Sequence, residues 1–172
     1  MKKTLIIVFL LSFFIQGCKT KSPAVTPVTT GLEFIAKISY QNENYEYNVK
    51  ISENGITEIE TVFEPKIKYL FTGGKLTISH NDISHETEIS EINNKLPIDL
   101  IYSVFNSLSH TKTEPVFKDN DCYIKCNTEK YEYVCYFGMS GLPIKITEIN
   151  YGITVTVKNA SILNTNKEDL AK

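Results

Sequence analysis

The fold is decided by residues 32–51, LEFIAKISYQNENYEYNVKI. Apolar and polar side chains alternate with a period of two on both sides of the central turn, residues 42–44, and Ile35 is the one exception. This alternation is typical of strands that bury one face and expose the other to solvent. Because so short a connection cannot form a parallel crossover, the two strands must pair antiparallel.

The same period continues along 59–89 and returns along 116–161, with Gly, Asn and Asp at the turns. Between these regions the spacing becomes helical, because Pro97 suits a first-turn position and an apolar stripe runs to about Ser109. One helix cannot form a layer of an α/β fold. We therefore predict a mainly β (α+β) fold, a curled antiparallel half-barrel of about 9 to 11 strands with one amphipathic helix on its concave face.

The N-terminus, residues 1–17, has the pattern of an export signal. Two lysines precede an apolar run of roughly 12 residues, which is shorter than the about 20 that a membrane span needs. The run ends in Ile-Gln-Gly-Cys at 15–18, which resembles the bacterial lipobox, although a smaller residue is commoner at the position of Gln16. The resemblance implies cleavage by signal peptidase II before Cys18 and a diacylglyceryl group on the Cys18 thiol.

Four segments are expected along the 172 residues. Residues 1–17 are the lipoprotein signal peptide, and 18–31 are the lipidated cysteine and a flexible tether, because two prolines and no apolar periodicity occur there. The antiparallel β domain spans 32–163, and 164–172 form a polar tail. Two or more acyl chains hold a protein firmly on a bilayer. We expect a monomer anchored through acylated Cys18 on the extracytoplasmic face of the cell membrane, or in the periplasm if the host has two membranes.

Charge excludes one class of partner. The chain carries 20 acidic and 18 basic residues, and every basic residue is a lysine. Arginine supplies the planar, bidentate donor that phosphate groups favour, and no basic excess compensates for its absence. We therefore expect no nucleic-acid partner.

The predicted architecture resembles the lipoprotein-carrier superfamily of LolA and LolB, and especially lipoprotein relatives from low-GC Gram-positive bacteria. Four features within residues 31–163 carry the resemblance: the FIAKISY strand at 34–40, its Tyr-Glu-Tyr partner at 45–47, Leu-Pro at 96–97 and Gly-Leu-Pro at 141–143. The resemblance implies that acyl chains are sheltered between the sheet and the helix. Some members latch a lid with arginine, a residue that this chain lacks.

The resulting functional hypothesis is a non-catalytic, membrane-anchored envelope lipoprotein that binds a hydrophobic or acylated ligand on the concave sheet face. The alternative is a structural or interaction protein of the cell envelope, in which the same side chains fill a core and leave no cavity. The candidate lining residues are Phe34, Ile38, Tyr45, Tyr47, Phe63, Tyr69, Phe71, Ile101, Phe105 and Leu108.

Three cysteines remain after Cys18 is assigned to lipidation. If the loop 127–130 places Cys126 opposite Tyr131, Cys122 faces Cys135 across two strands. The short separation of such a pair and an oxidising, exported setting make this a candidate disulfide. Alternatively, all three cysteines are small buried hydrophobic residues.

No motif indicates an enzyme, a metal or a cofactor. His80 and His85 lie five positions apart, which points them to opposite faces of a strand. The Ser-x-x-Lys string at 109–112 lacks the partner motifs of penicillin-interacting enzymes. Three glutamates within 58–64 are best interpreted as a solvated strand face, so we expect neither catalysis nor metal binding.

Overall fold

Eleven strands and one α-helix make up the computed structural model over the residues it describes, 24–92, 97–111, 113–118 and 121–163. The helix α1 spans Pro97–His110, and a short 3-10 helix spans Ile89–Glu91. The predicted helix ended one residue earlier. The strands are β1 (Leu32–Tyr40), β2 (Glu43–Ile51), β3 (Thr57–Thr61), β4 (Lys68–Thr72), β5 (Lys75–His80), β6 (Ile83–Glu88), β7 (Val116–Lys118), β8 (Asp121–Asn127), β9 (Glu132–Phe137), β10 (Pro143–Glu148) and β11 (Thr154–Ile162).

All strands belong to one antiparallel sheet in the order β6-β5-β4-β3-β2-β1-β11-β10-β9-β8-β7. Strands that follow each other in sequence pair, apart from β6 and β7, and at the centre of the sheet the first strand pairs with the last. The unclosed, curled sheet with a helix confirms the predicted half-barrel. Its two outer strands, β6 and β7, are the ones joined through α1.

The helix α1 covers the concave face of the sheet and contacts both of its halves. The ring of Phe105 lies 5.6 Å from Phe34 of β1, measured between centroids. The ring of Tyr102 stacks on Phe71 of β4 at 4.7 Å. On the other half, the Tyr133 hydroxyl donates a hydrogen bond to the backbone carbonyl of Val104 at 3.5 Å. Both halves of the sheet therefore pack against the same helix.

The segment before β1 is a correction to the predicted tether. Residues 24–30 lie against the domain, and the Val25 side chain is only 7% exposed. The backbone N–H of Val28 donates a hydrogen bond to the carbonyl of Gly141 at 2.9 Å. An isolated pair of valines has no periodicity, so the sequence pattern gave no sign of this contact. The predicted signal peptide, Cys18 and the tail at 164–172 lie outside the described residues.

No helix within the described ranges has the length and apolar character needed to cross a membrane.

Replacing Phe105 with Ala should lower the free energy of unfolding by about 3–5 kcal/mol, because this 1% exposed ring fills the interface between sheet and helix. The matched control is Asn106→Ala on the exposed face of the same helix, which should change stability by less than about 0.5 kcal/mol. Urea denaturation followed by circular dichroism measures both. Similar losses for the two variants would contradict the proposed packing.

Candidate functional site

Six of the ten predicted lining residues lie in a filled core. Each is at most 5% exposed, and each belongs to the single hydrophobic cluster between the concave face and α1. They therefore line no open hollow. This packing matches the interpretation in which the core is filled. The six are Phe34, Ile38, Phe71, Ile101, Phe105 and Leu108.

The aromatic residues of β2 and of the β3–β4 loop lie at the margin of this core, and Tyr47 packs against it. Tyr45 is 40% exposed and Phe63 is 69% exposed, while Tyr47 is half-buried. They surround an open depression of about 490 Å³, which we call the aromatic depression. Its lining residues are Lys37, Asn44, Tyr45, Glu46, Tyr47, Thr61, Phe63, Glu64, Pro65 and Ile67.

The sheet register explains how the aromatic depression forms. Tyr47 pairs with Thr61 of β3, and the Val62 N–H donates a hydrogen bond to the Glu46 carbonyl at 3.1 Å. Phe63 therefore follows on beside Tyr45. Both tyrosines share the face of Val49, because side chains alternate along a strand. Lys37, Asn44 and Glu46 alternate with these residues onto the opposite face, so the depression lies where β2 begins and β3 ends and its lining draws on both faces of the sheet.

Hydrogen bonds within the β3–β4 loop hold Phe63 in place. The Thr61 hydroxyl donates to the Pro65 carbonyl at 2.7 Å and accepts from the Ile67 N–H at 2.9 Å. The Lys66 ammonium donates to the Thr61 carbonyl at 3.1 Å. The exposed Phe63 ring is therefore carried by an ordered turn, which lowers the entropic cost of binding through it.

Two tyrosines of this region, Tyr47 and Tyr69, remain neutral at physiological pH. Burial, with smaller contributions from Tyr69 and Tyr45, raises the pKa of Tyr47 to about 12. Burial also raises the pKa of Tyr69, whose ring contacts Tyr47 edge-on at 6.4 Å. The Tyr47 ring is consequently an uncharged part of the lining, while Lys37, Glu46 and Glu64 are the ionisable residues at the rim.

A second depression, of about 440 Å³, lies where the β8–β9 loop approaches the end of β6 over α1. The Lys130 ammonium lies 3.1 Å from Oδ2 of Asp99, which is fully buried. The Tyr131 hydroxyl donates to the same oxygen at 3.3 Å. Burial and this carboxylate raise the pKa of Tyr131. Lys130 also donates to the Ile89 carbonyl at 3.4 Å, so the network connects the two ends of the sheet through the helix.

Sequence reasoning missed this network. Asp99 stands inside an apolar helical stripe, and that misplaced charge is the signal that could have indicated a buried partner. The partner itself could not be identified, because Lys130 lies in a loop 31 residues away.

The third depression, of about 370 Å³, lies on the charged side of the sheet. Two of its three glutamates pair with lysines of β4 and of the loop before it. Lys68 contacts Glu58 at 2.6 Å, and Lys66 lies 3.9 Å from Glu60. These acids are partly exposed and matched by cations, an arrangement that suits a solvated sheet face.

The predicted disulfide between Cys122 and Cys135 is wrong. In the structure Cys122 pairs with Phe137, Ile124 pairs with Cys135, and the three cysteines are free thiols. The cause is the loop. The Thr128 N–H donates to the Tyr131 carbonyl at 2.8 Å, so the chain reverses over two residues, not four. An even shift of register keeps every side chain on its face, and the apolar pattern therefore cannot distinguish the two registers.

Neither histidine near the β5–β6 turn has the surroundings of a metal ligand. The His80 ring donates a hydrogen bond from Nδ1 to the Lys66 carbonyl at 2.8 Å, and His85 pairs with Ile78. No group of three or more His, Cys, Asp or Glu side chains suited to a metal ion occurs in the part of the chain that the structure describes.

No protein-family model matches this chain, and a comparison with curated proteins gives no significant match. The resemblance to LolA and LolB therefore stays a prediction.

Thiol reactivity should follow the burial of the cysteines. Burial raises the pKa of Cys122, and burial together with the nearby Cys126 raises the pKa of Cys135. A raised pKa lowers the thiolate fraction, so both should react slowly with Ellman's reagent between pH 7 and 9 in the folded Cys18→Ala chain. In urea without reductant, all three thiols should react. Fewer than three would mean that a disulfide exists.

Proposed function

We propose that the protein is a non-catalytic, membrane-anchored envelope lipoprotein that binds a hydrophobic or acylated ligand in the aromatic depression. The observation that supports this function best is the group formed by Tyr45, Tyr47 and Phe63, which stays accessible while the rest of the concave face is filled. Apolar side chains left exposed together commonly mark a binding site.

The size and chemistry of the depression agree with such a ligand. Its volume of about 490 Å³ lies within the range of small-molecule sites. Aromatic and apolar walls formed by Tyr47, Phe63 and Ile67 suit an acyl chain, and the rim charges of Lys37 and Glu64 suit a polar headgroup. An amphiphile would therefore place its tail against the rings and its head at the rim.

Membrane attachment is proposed from the lipobox at 15–18. Acylated Cys18 would hold the domain on the extracytoplasmic face of the membrane. The resemblance to lipoprotein carriers supports the same ligand class. The absence of arginine and the filled core separate this chain from a carrier with a latched lid.

The filled core favours a second candidate. Because Phe34 packs on Phe105 and Phe71 stacks on Tyr102 in a filled core, no acyl chain fits under α1. In this candidate the exposed aromatic side chains contact a protein or wall polymer of the envelope, with no small ligand. Aromatic residues are enriched at such interfaces.

Phe63→Ala should weaken binding of the fluorescent fatty acid cis-parinaric acid at least tenfold, with little change in stability because the ring is 69% exposed. The matched control is Ile144→Ala, which removes an exposed apolar side chain outside the depression and should leave binding unchanged. Fluorescence titration measures both. Equal affinities would exclude the depression as the site, and no binding by the wild type would favour the second candidate.

Cys18→Ala should move the protein from the membrane fraction to the supernatant, because a chain without acyl groups loses its bilayer affinity. Cys126→Ala is the control and should stay with the membranes. Fractionation followed by immunoblotting gives the answer, and membrane retention of Cys18→Ala would contradict the proposed anchor.

A further inference from the structure

We propose that the β9–β10 turn, residues 138–142, is the surface that the domain applies to the bilayer, and that residues 24–30 hold it there. We call these two elements the basal turn and the strap. The proposal rests on the acylation of Cys18. It adds an orientation: the basal turn faces the membrane, and the aromatic depression faces away from it.

The strap is docked, not free. Val25 belongs to the hydrophobic core and is 7% exposed, and Val28 packs against the same cluster. The hydrogen bond from the Val28 N–H to the Gly141 carbonyl fixes the strap on the basal turn at 2.9 Å. The apolar contacts of Val25 and Val28 and the backbone hydrogen bond of Val28 together hold the strap at a defined position on the domain.

Gly141 is the position at which strap and turn approach most closely. Its φ of +80° lies in the left-handed region, and a Cβ added there would collide with the carbonyl oxygen of Thr26. Gly141 thus serves both the turn and the strap. The turn itself is closed by hydrogen bonds from the Gly138 N–H to the Leu142 carbonyl and from the Gly141 N–H to the Gly138 carbonyl, each 2.9 Å.

Chain length then limits how far the basal turn can lie from the membrane. Six peptide units join Cys18 to Ala24, and they reach about 20 Å when fully extended. The strand β1 leads away from the strap for nine residues, or about 30 Å. The aromatic depression lies beside the far end of β1, because Tyr45 pairs with Ile38. The short connection to Cys18 therefore places the basal end of the domain nearer to the membrane than the aromatic depression.

The side chains at this end suit a bilayer surface. Met139 at the tip of the basal turn is 68% exposed, and Ile162, which pairs with Leu32 at the base of β1, is 58% exposed. Exposed apolar side chains are the groups that enter the interfacial region of a membrane.

Orientation can be measured directly, because the chain contains no tryptophan. Met139→Trp and Phe63→Trp each introduce one reporter, at opposite ends of β1. The acylated full-length variants are reconstituted in vesicles of phosphatidylethanolamine and phosphatidylglycerol with brominated acyl chains. We expect Trp fluorescence to be quenched at least twofold more in Met139→Trp than in Phe63→Trp. Equal quenching, or stronger quenching of Phe63→Trp, would overturn the proposal.

The strap is tested separately by hydrogen exchange in the unacylated Cys18→Ala chain. Gly141→Ala should speed exchange of the Val28 amide at least tenfold. Gly55→Ala is the matched control, because Gly55 has a φ of +81° but nothing within 4 Å of an added Cβ. It carries the same backbone strain and should leave the Val28 amide protected. Equal exchange rates in the two variants would exclude a docked strap.

A second variant keeps the basal turn intact. Val25→Ser removes an apolar contact of the strap. When it is added to each reporter variant in the acylated protein, the difference in quenching between Met139→Trp and Phe63→Trp should disappear. Unchanged quenching would show that the strap does not set the orientation. Wild-type protein that fails to bind vesicles would refute the anchor and this orientation together. Retained binding without preferential quenching of Met139→Trp would refute only the orientation.

Discussion

The structure depends on one burial problem. A wide antiparallel sheet with one apolar face must remove that face from water, and this chain supplies one helix among the described residues for the purpose. The sheet curls until both halves reach the same helix. Phe34 contacts it from the centre, Phe71 from one half and Tyr133 from the other. Apolar burial is the dominant favourable contribution to folding. The curl of the sheet, the filled core and the position of α1 all follow from the need to bury the apolar face.

That solution also determines which apolar side chains remain accessible. The helix has only 14 residues, which at 1.5 Å per residue make about 21 Å, so it covers part of the concave face. Side chains beneath it become core, and those beyond it remain accessible. Phe105 and Phe63 have similar chemistry, yet one is fully enclosed and the other is carried on a loop. Aromatic composition alone could not separate the two groups, because exposure is decided by where the helix ends.

The predictions that succeeded used local patterns, and those that failed needed information from distant residues. Period-two alternation identified the strands, and helical spacing placed α1 within one residue at its C-terminal end. The pairing of Cys122 failed because a two-residue loop replaced a four-residue one without changing the face of any side chain. Val25 and Asp99 were missed for a related reason. A lone valine in a proline-containing segment, or a lone acid in an apolar stripe, acquires meaning only from a partner that folding brings near.

The pairing of β1 with β11 has a consequence for how the protein is made. The strand at the middle of the sheet cannot acquire its second neighbour until almost the whole polypeptide has emerged. Contacts between such distant residues slow folding, because the entropy cost of closing a large loop precedes any favourable contact between the two strands. A chain that threads through a translocation pore must stay unfolded while it passes. The seam between the first and last strands delays completion of the sheet, so this topology would suit the export that we propose for the chain.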